Sequence, residues 1–150
     1  MYDYKEVGIY FDLNLTLIGV PCGKSPKYGI ASLDIFIVLE SEYGDDKLEE
    51  FLEKLFDLCF TKKSVEGQID PLIKYTNAKS YAAAVKNFKL VEAQWLKNEG
   101  FSFTPTQKSK KHRGAFEPLE QEKITVPTLY EKGSLAKAFR QALSIANQQA

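Results

Sequence analysis

The chain has 150 residues, of which 44% are hydrophobic and 27% charged, with Lys plus Arg and Asp plus Glu each numbering 20. That balance excludes a global field pulling the chain onto nucleic acid or an anionic membrane, and the composition excludes disordered or fibrous architecture. The length suits one domain spanning 1–150 that buries roughly 68–70% of the surface its unfolded chain exposes. The opening residues lack the basic-then-apolar layout of a secretory signal, and the longest aliphatic-aromatic run, Ile35 to Leu39, is too short to span a bilayer. A cytoplasmic location is therefore expected, with Cys22 and Cys59 as reduced packing thiols.

Val7 to Val20 alternates apolar and polar residues around a turn near Asp12 to Asn14, which predicts one or two strands with Ile9, Phe11, Leu13, Leu15, Leu17 and Val20 on one side. Pro21-Cys22-Gly23 and Ser25-Pro26-Lys27 break the pattern, and Tyr28 to Leu39 resumes it, ending in a strand at Ile35 to Leu39 buried on both faces. After Gly44, apolar residues at Leu48, Phe51, Leu52, Leu55, Phe56 and Cys59 predict an amphipathic helix, with Asp45 and Asp46 satisfying its free amides. Asp70-Pro71 starts one or two short helices before Asn87.

From Phe88 the alternation of Leu90, Glu92, Gln94 and Leu96 with Val91, Ala93 and Trp95 predicts a strand. It turns at Asn98-Glu99-Gly100 into a second strand through Phe101 and Phe103, ending at Thr104-Pro105 before a basic loop. Pro118 limits the segment around Phe116 to an edge or short strand, and Lys123 to Val126 supplies another. Ser134 caps a final helix with Leu135, Ala138, Phe139, Ala142, Leu143 and Ala146 on its apolar stripe. The order strands-helix-strands-helix predicts an α+β fold, antiparallel sheet packed with two main amphipathic helices, in two halves of similar layout but no evident sequence repeat.

The chemistry-bearing residues do not form a catalytic set. His112, the one histidine, lies among cations that discourage its protonation, and no zinc spacing, EF-hand loop or phosphate-binding glycine loop is present. No cofactor, metal or enzymatic activity is expected. Charge is instead segregated locally: Glu40 to Asp57 holds eight acids against two lysines, and Lys108 to Arg113 is a basic loop.

One further pattern carries identity. Gly114-Ala115-Phe116-Glu117-Pro118-Leu119, then Lys123-Ile124, then Ser134-Leu135-Ala136-Lys137-Ala138-Phe139 with Ala142-Leu143, resembles the C-terminal half of the immunity proteins of contact-dependent growth inhibition, the CdiI family. It departs from them at Leu135-Ala136, where a leucine-glycine pair is usual. The resemblance implies a cytoplasmic protein that binds and blocks the C-terminal toxin domain of a cognate CdiA effector, commonly a nuclease and in some systems one that cleaves transfer RNA. A cationic toxin surface would be met by Glu42, Asp45, Asp46, Glu49, Glu50 and Glu53. The secondary candidate surface is Lys108, Lys110, Lys111, His112 and Arg113 with Glu117 and Glu120. The alternative is a single-stranded nucleic-acid-binding module using that basic loop with Tyr28, Trp95, Phe101 or Phe103 as stacking platforms.

Overall fold

The computed structural model describes residues 2–150 as an antiparallel sheet with helices on both faces. The strands are β1 (Tyr4–Phe11), β2 (Leu17–Ser25), β3 (Gly29–Ser32), β4 (Ile37–Leu39), β5 (Lys89–Leu96), β6 (Gly100–Lys108), β7 (Phe116–Pro118) and β8 (Ile124–Val126). Helix α1 (Asp45–Leu58) follows β4, the short α2 (Pro71–Thr76) and α3 (Tyr81–Ala84) precede β5, and α4 (Ser134–Asn147) closes the chain. The main path runs β3-β2-β1-β5-β6-β7, with β4 also pairing β2 and β8 also pairing β6.

The halves match more closely than the sequence suggests. Each is four strands followed by a long helix, and the central strands β1 and β5 pair with each other. Val7 lies opposite Pro21 and Val91 opposite Pro105, so both pairs recur 84 positions apart. Both prolines stand where a long strand changes outer partner: β2 pairs β4 at 17–19 and β3 at 22–25, while β6 pairs β8 at 101–103 and β7 at 106–108. A residue's N–H and C=O point to the same side of a strand, and the two proline carbonyls accept from Leu33 and Leu119 outside the β1 and β5 ladders. The missing proline donor therefore faces the outer side at a gap between partners, where no ladder bond needs it. Pro21 and Pro105 are thus continued through by their strands, not terminators as their residue type suggests.

One face of the sheet packs on α1 and α4. Val7, Ile9, Phe11, Leu17, Val91, Ala93 and Phe103 meet Leu48, Leu52 and Leu55 of α1 and Leu135, Phe139 and Ala142 of α4, all buried. A Cβ on Gly19 would stand 2.3 Å from Leu55 Cδ1, so only glycine lets α1 settle this closely on β2. A smaller core on the other face joins Ile18 and Val20 to Leu72 of α2, Ala84 of α3, Val85 and Phe88, and there the Tyr10 and Tyr81 hydroxyls hydrogen-bond at 2.6 Å.

Several expectations change. Leu13 and Leu15 belong to the β1–β2 turn, where Leu13 is 89% exposed, because Asp12 accepts amide bonds from Asn14 and Thr16 and closes the chain locally. Only Ile37–Leu39 of the 35–39 run forms a strand, half-buried on both faces, since it pairs on one side and divides its side chains between the two cores. Neither Asp45 nor Asp46 caps α1, and Ser134 does not cap α4, whose N-cap is Gly133. Asp70 does cap α2, through the Leu72 amide, and Pro71 takes the first helical position.

Candidate functional site

The acidic candidate residues separate once they are placed. Glu42, Asp45, Asp46, Glu50 and Glu53 are exposed along α1 and its entry, whereas Glu49 is 6% exposed. The Glu49 carboxylate turns inward onto the start of α4: Oε2 accepts from Gly133 N–H at 2.6 Å, and Oε1 from the Leu135 and Ala136 N–H groups at 2.9 and 3.3 Å. An anion there also complements the positive end of the helix dipole. Glu49 is thus a structural cap between the two long helices, buried where the charge run led us to expect an exposed member of the acidic face. Its place on the α1 face, one position past Leu48, turns it toward α4 instead of solvent.

Three of the exposed carboxylates, Asp46, Glu50 and Glu53, border an open groove of about 540 Å³ that Glu49, Tyr130 and Lys132 also line. Tyr130 donates its hydroxyl to Glu53, and burial, reinforced by Glu53, raises its pKa. Asp46 lies 3.7 Å from Lys132 with both side chains about four-fifths exposed, a pair too solvated to hold much energy. Asp45 accepts from Arg140 Nε at 2.7 Å, and Arg140 also donates to the Tyr43 carbonyl and lies over the Tyr43 ring. Glu42 and Glu50 make no ion pair among the described residues. Glu42 holds a left-handed backbone at φ 68°, uncommon for a residue other than glycine. Tyr130, Lys132 and Arg140 were not legible as members of this surface, because they reach it from α4 and its approach loop more than 70 residues away.

The secondary surface is a turn docked onto α3. Ser109 Oγ accepts from the Lys111 and His112 amides, Ser109 N–H donates to the Ala115 carbonyl, and Gly114 at φ 84° passes so close to Ala82 that a Cβ would stand 2.9 Å from it. Lys110, Lys111, His112 and Arg113 are exposed at its tip, Lys108 is half-buried, and Glu117 and Glu120 are exposed beyond it, with Glu120 held 3.4 Å from Lys123. The aromatics expected to stack bases beside this loop are elsewhere. Phe103 is fully buried against Phe139, and Phe101 lies edge-on to Phe56 and Tyr130 on the helix side. Trp95 is half-buried under Lys5, and Tyr28 sits at the β2–β3 turn.

Elsewhere, Cys22 and Cys59 are both buried, and their sulfurs meet the N–H and C=O of Glu6 at 3.3 and 3.5 Å. Among the described residues no group of His, Cys, Asp and Glu is arranged to hold a metal, and no helix is long and apolar enough to cross a membrane.

No protein-family model matches the sequence, and no curated protein is detectably similar to it. Solved structures share its fold. A protein of unknown function, NMB0488 from Neisseria meningitidis, superposes with a TM-score of 0.70 at 15% identity, covering 95% of this chain and 94% of that one. A chain of the CdiA-CT/CdiI toxin and immunity complex from Yersinia pseudotuberculosis superposes with a TM-score of 0.65 at 9% identity, covering 95% and 97%. Both likenesses run through the two halves, whereas the sequence resemblance was confined to the second.

Proposed function

We propose that this protein is a cytoplasmic immunity protein that binds and neutralises the C-terminal toxin domain of a cognate contact-dependent growth inhibition effector. The observation that carries the reading is the near full-length fold shared with a chain of a toxin and immunity complex. The toxin is proposed to be a nuclease with a cationic active surface. The contact surface is proposed to be the acidic groove of α1 together with the exposed entry to that helix, with Glu42, Asp45, Asp46, Glu50 and Glu53 facing the toxin. Five exposed carboxylates along α1 and its entry, three of which (Glu42, Glu50 and Glu53) have no cationic partner among the described residues, favour that assignment. Inhibition requires no chemistry from this chain: occupying the phosphate-binding surface excludes the substrate, and complementary charge speeds association.

The test is co-expression with the toxin domain encoded immediately upstream, scored by growth rescue and recovery of a one-to-one complex. Rescue with a stable complex is expected; neither rescue nor complex would refute the reading. The surface is tested separately by Glu42→Lys, Asp46→Lys and Glu50→Lys together. Association should slow about tenfold or more at low salt with the unfolding midpoint retained. Unchanged association would move the contact surface away from α1.

A further inference from the structure

Two small hollows, each about 190 Å³, adjoin at the end of β6 and share Lys86 and Lys108. Arg113 and Ser109 line the first, between α3 and the β6–β7 turn, and Lys89 lines the second, beside Asn147 at the end of α4. The four cations come from two separate segments of the chain, 86–89 and 108–113, and none makes an ion pair among the described residues. The single carboxylate in either lining is Asp12, whose Oδ1 accepts from the Asn14 and Thr16 amides.

Two of these ammonium groups are held in place. Lys108 Nζ donates to the Lys86 carbonyl at 2.6 Å, and Lys89 Nζ donates to the carbonyls of Asn147 and Gln149 at 2.8 and 2.7 Å. An ammonium has three donors, so Lys108 keeps two free and Lys89 keeps one. Burial, then the neighbouring Lys89, lowers the Lys108 pKa, as expected of a crowded cation without a counter-ion. A pinned ammonium loses little side-chain freedom when it meets a ligand, unlike a surface lysine that swings in water.

The other half of the molecule supplies an internal comparison. Lys24-Ser25 matches Lys108-Ser109 at the same 84-residue spacing, and Ser25 Oγ accepts from Lys27 and Tyr28 as Ser109 Oγ does from Lys111 and His112. The hollow beside the Ser25 turn contains Glu66 and Asp70 alongside its one lysine, Lys27. The hollow at this turn is therefore supplied with carboxylates in the first half and left cationic in the second. Shared scaffold geometry does not explain that difference.

We propose that Lys86, Lys89, Lys108 and Arg113 form a trough that binds phosphate groups, either the phosphodiesters of a single-stranded nucleic acid or a free polyphosphate. The trough takes the backbone without reading bases, because no exposed aromatic lines it. It stands apart from toxin neutralisation and does not depend on it.

The test measures anisotropy of a labelled twelve-nucleotide thymidine strand with the full chain, and calorimetry with pyrophosphate, at low and high salt. Binding of the strand with displacement by pyrophosphate assigns phosphodiesters; binding of pyrophosphate alone assigns a free phosphate ligand. The double variant Lys86→Gln, Lys108→Gln should weaken the bound probe about tenfold, and for the strand should lower the salt slope by about 1.4, at about 0.7 per lost single-strand phosphate contact. Lys24→Gln with Lys27→Gln at the matching turn should change neither. If the double variant unfolds, amide shifts of the unaltered protein replace it, and these should localise to residues 86–89 and 108–116. Failure of both probes to bind at low salt, equal loss in the two double variants, or shifts centred elsewhere would overturn the proposal.

Discussion

Replacing Glu49 by alanine tests whether this carboxylate belongs to the fold or to the binding surface. In the folded protein it accepts three N–H groups at the first turn of α4, two of them on the fully buried Leu135 and Ala136. Alanine reaches none of them. Each buried donor left without an acceptor costs about 1–3 kcal/mol, and two such donors with partial relief by water at Gly133 put the loss near 3 kcal/mol. For a domain of this size that lowers the melting temperature by roughly 6–12 °C. Glu49→Gln retains one acceptor oxygen while losing the charge that faces the helix dipole, and should cost about 1–1.5 kcal/mol. Urea unfolding at pH 7 measures both, with an unchanged m-value confirming that the same surface is exposed. A Glu49→Ala protein within about 0.5 kcal/mol of the parent would refute the capping argument, since that is the ordinary scatter of surface substitutions. Loss of toxin affinity in a Glu49→Gln protein of near-parental stability would return Glu49 to the binding surface.

Glu92 on β5 is more than half buried, and its pKa is raised first by that burial and then by Glu6 and Glu120. Its ionised form is thus disfavoured in the folded state, so stability falls as pH rises from the ordinary glutamate range through the raised value. Glu92→Gln should raise the melting temperature at pH 7 by about 1–2 °C, the gain vanishing below about pH 4, and a gain of equal size at both pH values would sink the attribution. Gly100 sits at φ 95°, and a Cβ there would stand 2.4 Å from the Val126 carbonyl oxygen, so Gly100→Ala should cost about 2–4 kcal/mol in urea unfolding, and a neutral result would contradict the close approach. The neighbouring Cys22 draws the Cys59 thiol below its ordinary pKa, yet both sulfurs are buried. Their alkylation should therefore follow the unfolding equilibrium under urea, and rapid native-state labelling would show an open path to them.

Periodicity made the helices and the β5–β6 hairpin readable. The spacing of Leu48, Phe51, Leu52, Leu55 and Phe56 places those side chains in the buried face of α1 with Cys59 buried just past its end, and Asp70-Pro71 starts α2 as its chemistry dictates. Proline misled for a physical reason: residue type discloses the missing donor, but not that the outer side of β2 and β6 is between ladder partners at that point and needs no donor there. The α4 cap was hidden similarly, since Ser134 is the obvious local candidate while the carboxylate used comes from Glu49, 84 residues before Gly133. The acidic stretch was legible as a charge run, but which carboxylates remain free depended on cations brought in from Lys132 and Arg140.

The paired halves also indicate where to look for function. Features common to both, such as the valine-proline pairs, the serine turns and a long helix on one sheet face, are sufficiently explained by building the same scaffold twice. Departures between matching positions need another cause. Helix α1 carries six acids and two lysines where α4 carries no acid, Lys137 and Arg140, and the cationic hollow beside Ser109 has no counterpart beside Ser25. Opposite charges allow α1 and α4 to meet through Asp45 and Arg140, which accounts for one carboxylate on the exposed edge and leaves Glu42 and Glu50 without such a reason. A scaffold requirement would have been met by either sign or by neutral residues. The unspent charge on α1, together with the unspent cations at the end of β6, therefore gives a chain of zero net charge two oppositely charged surfaces, each able to orient a different charged partner before contact.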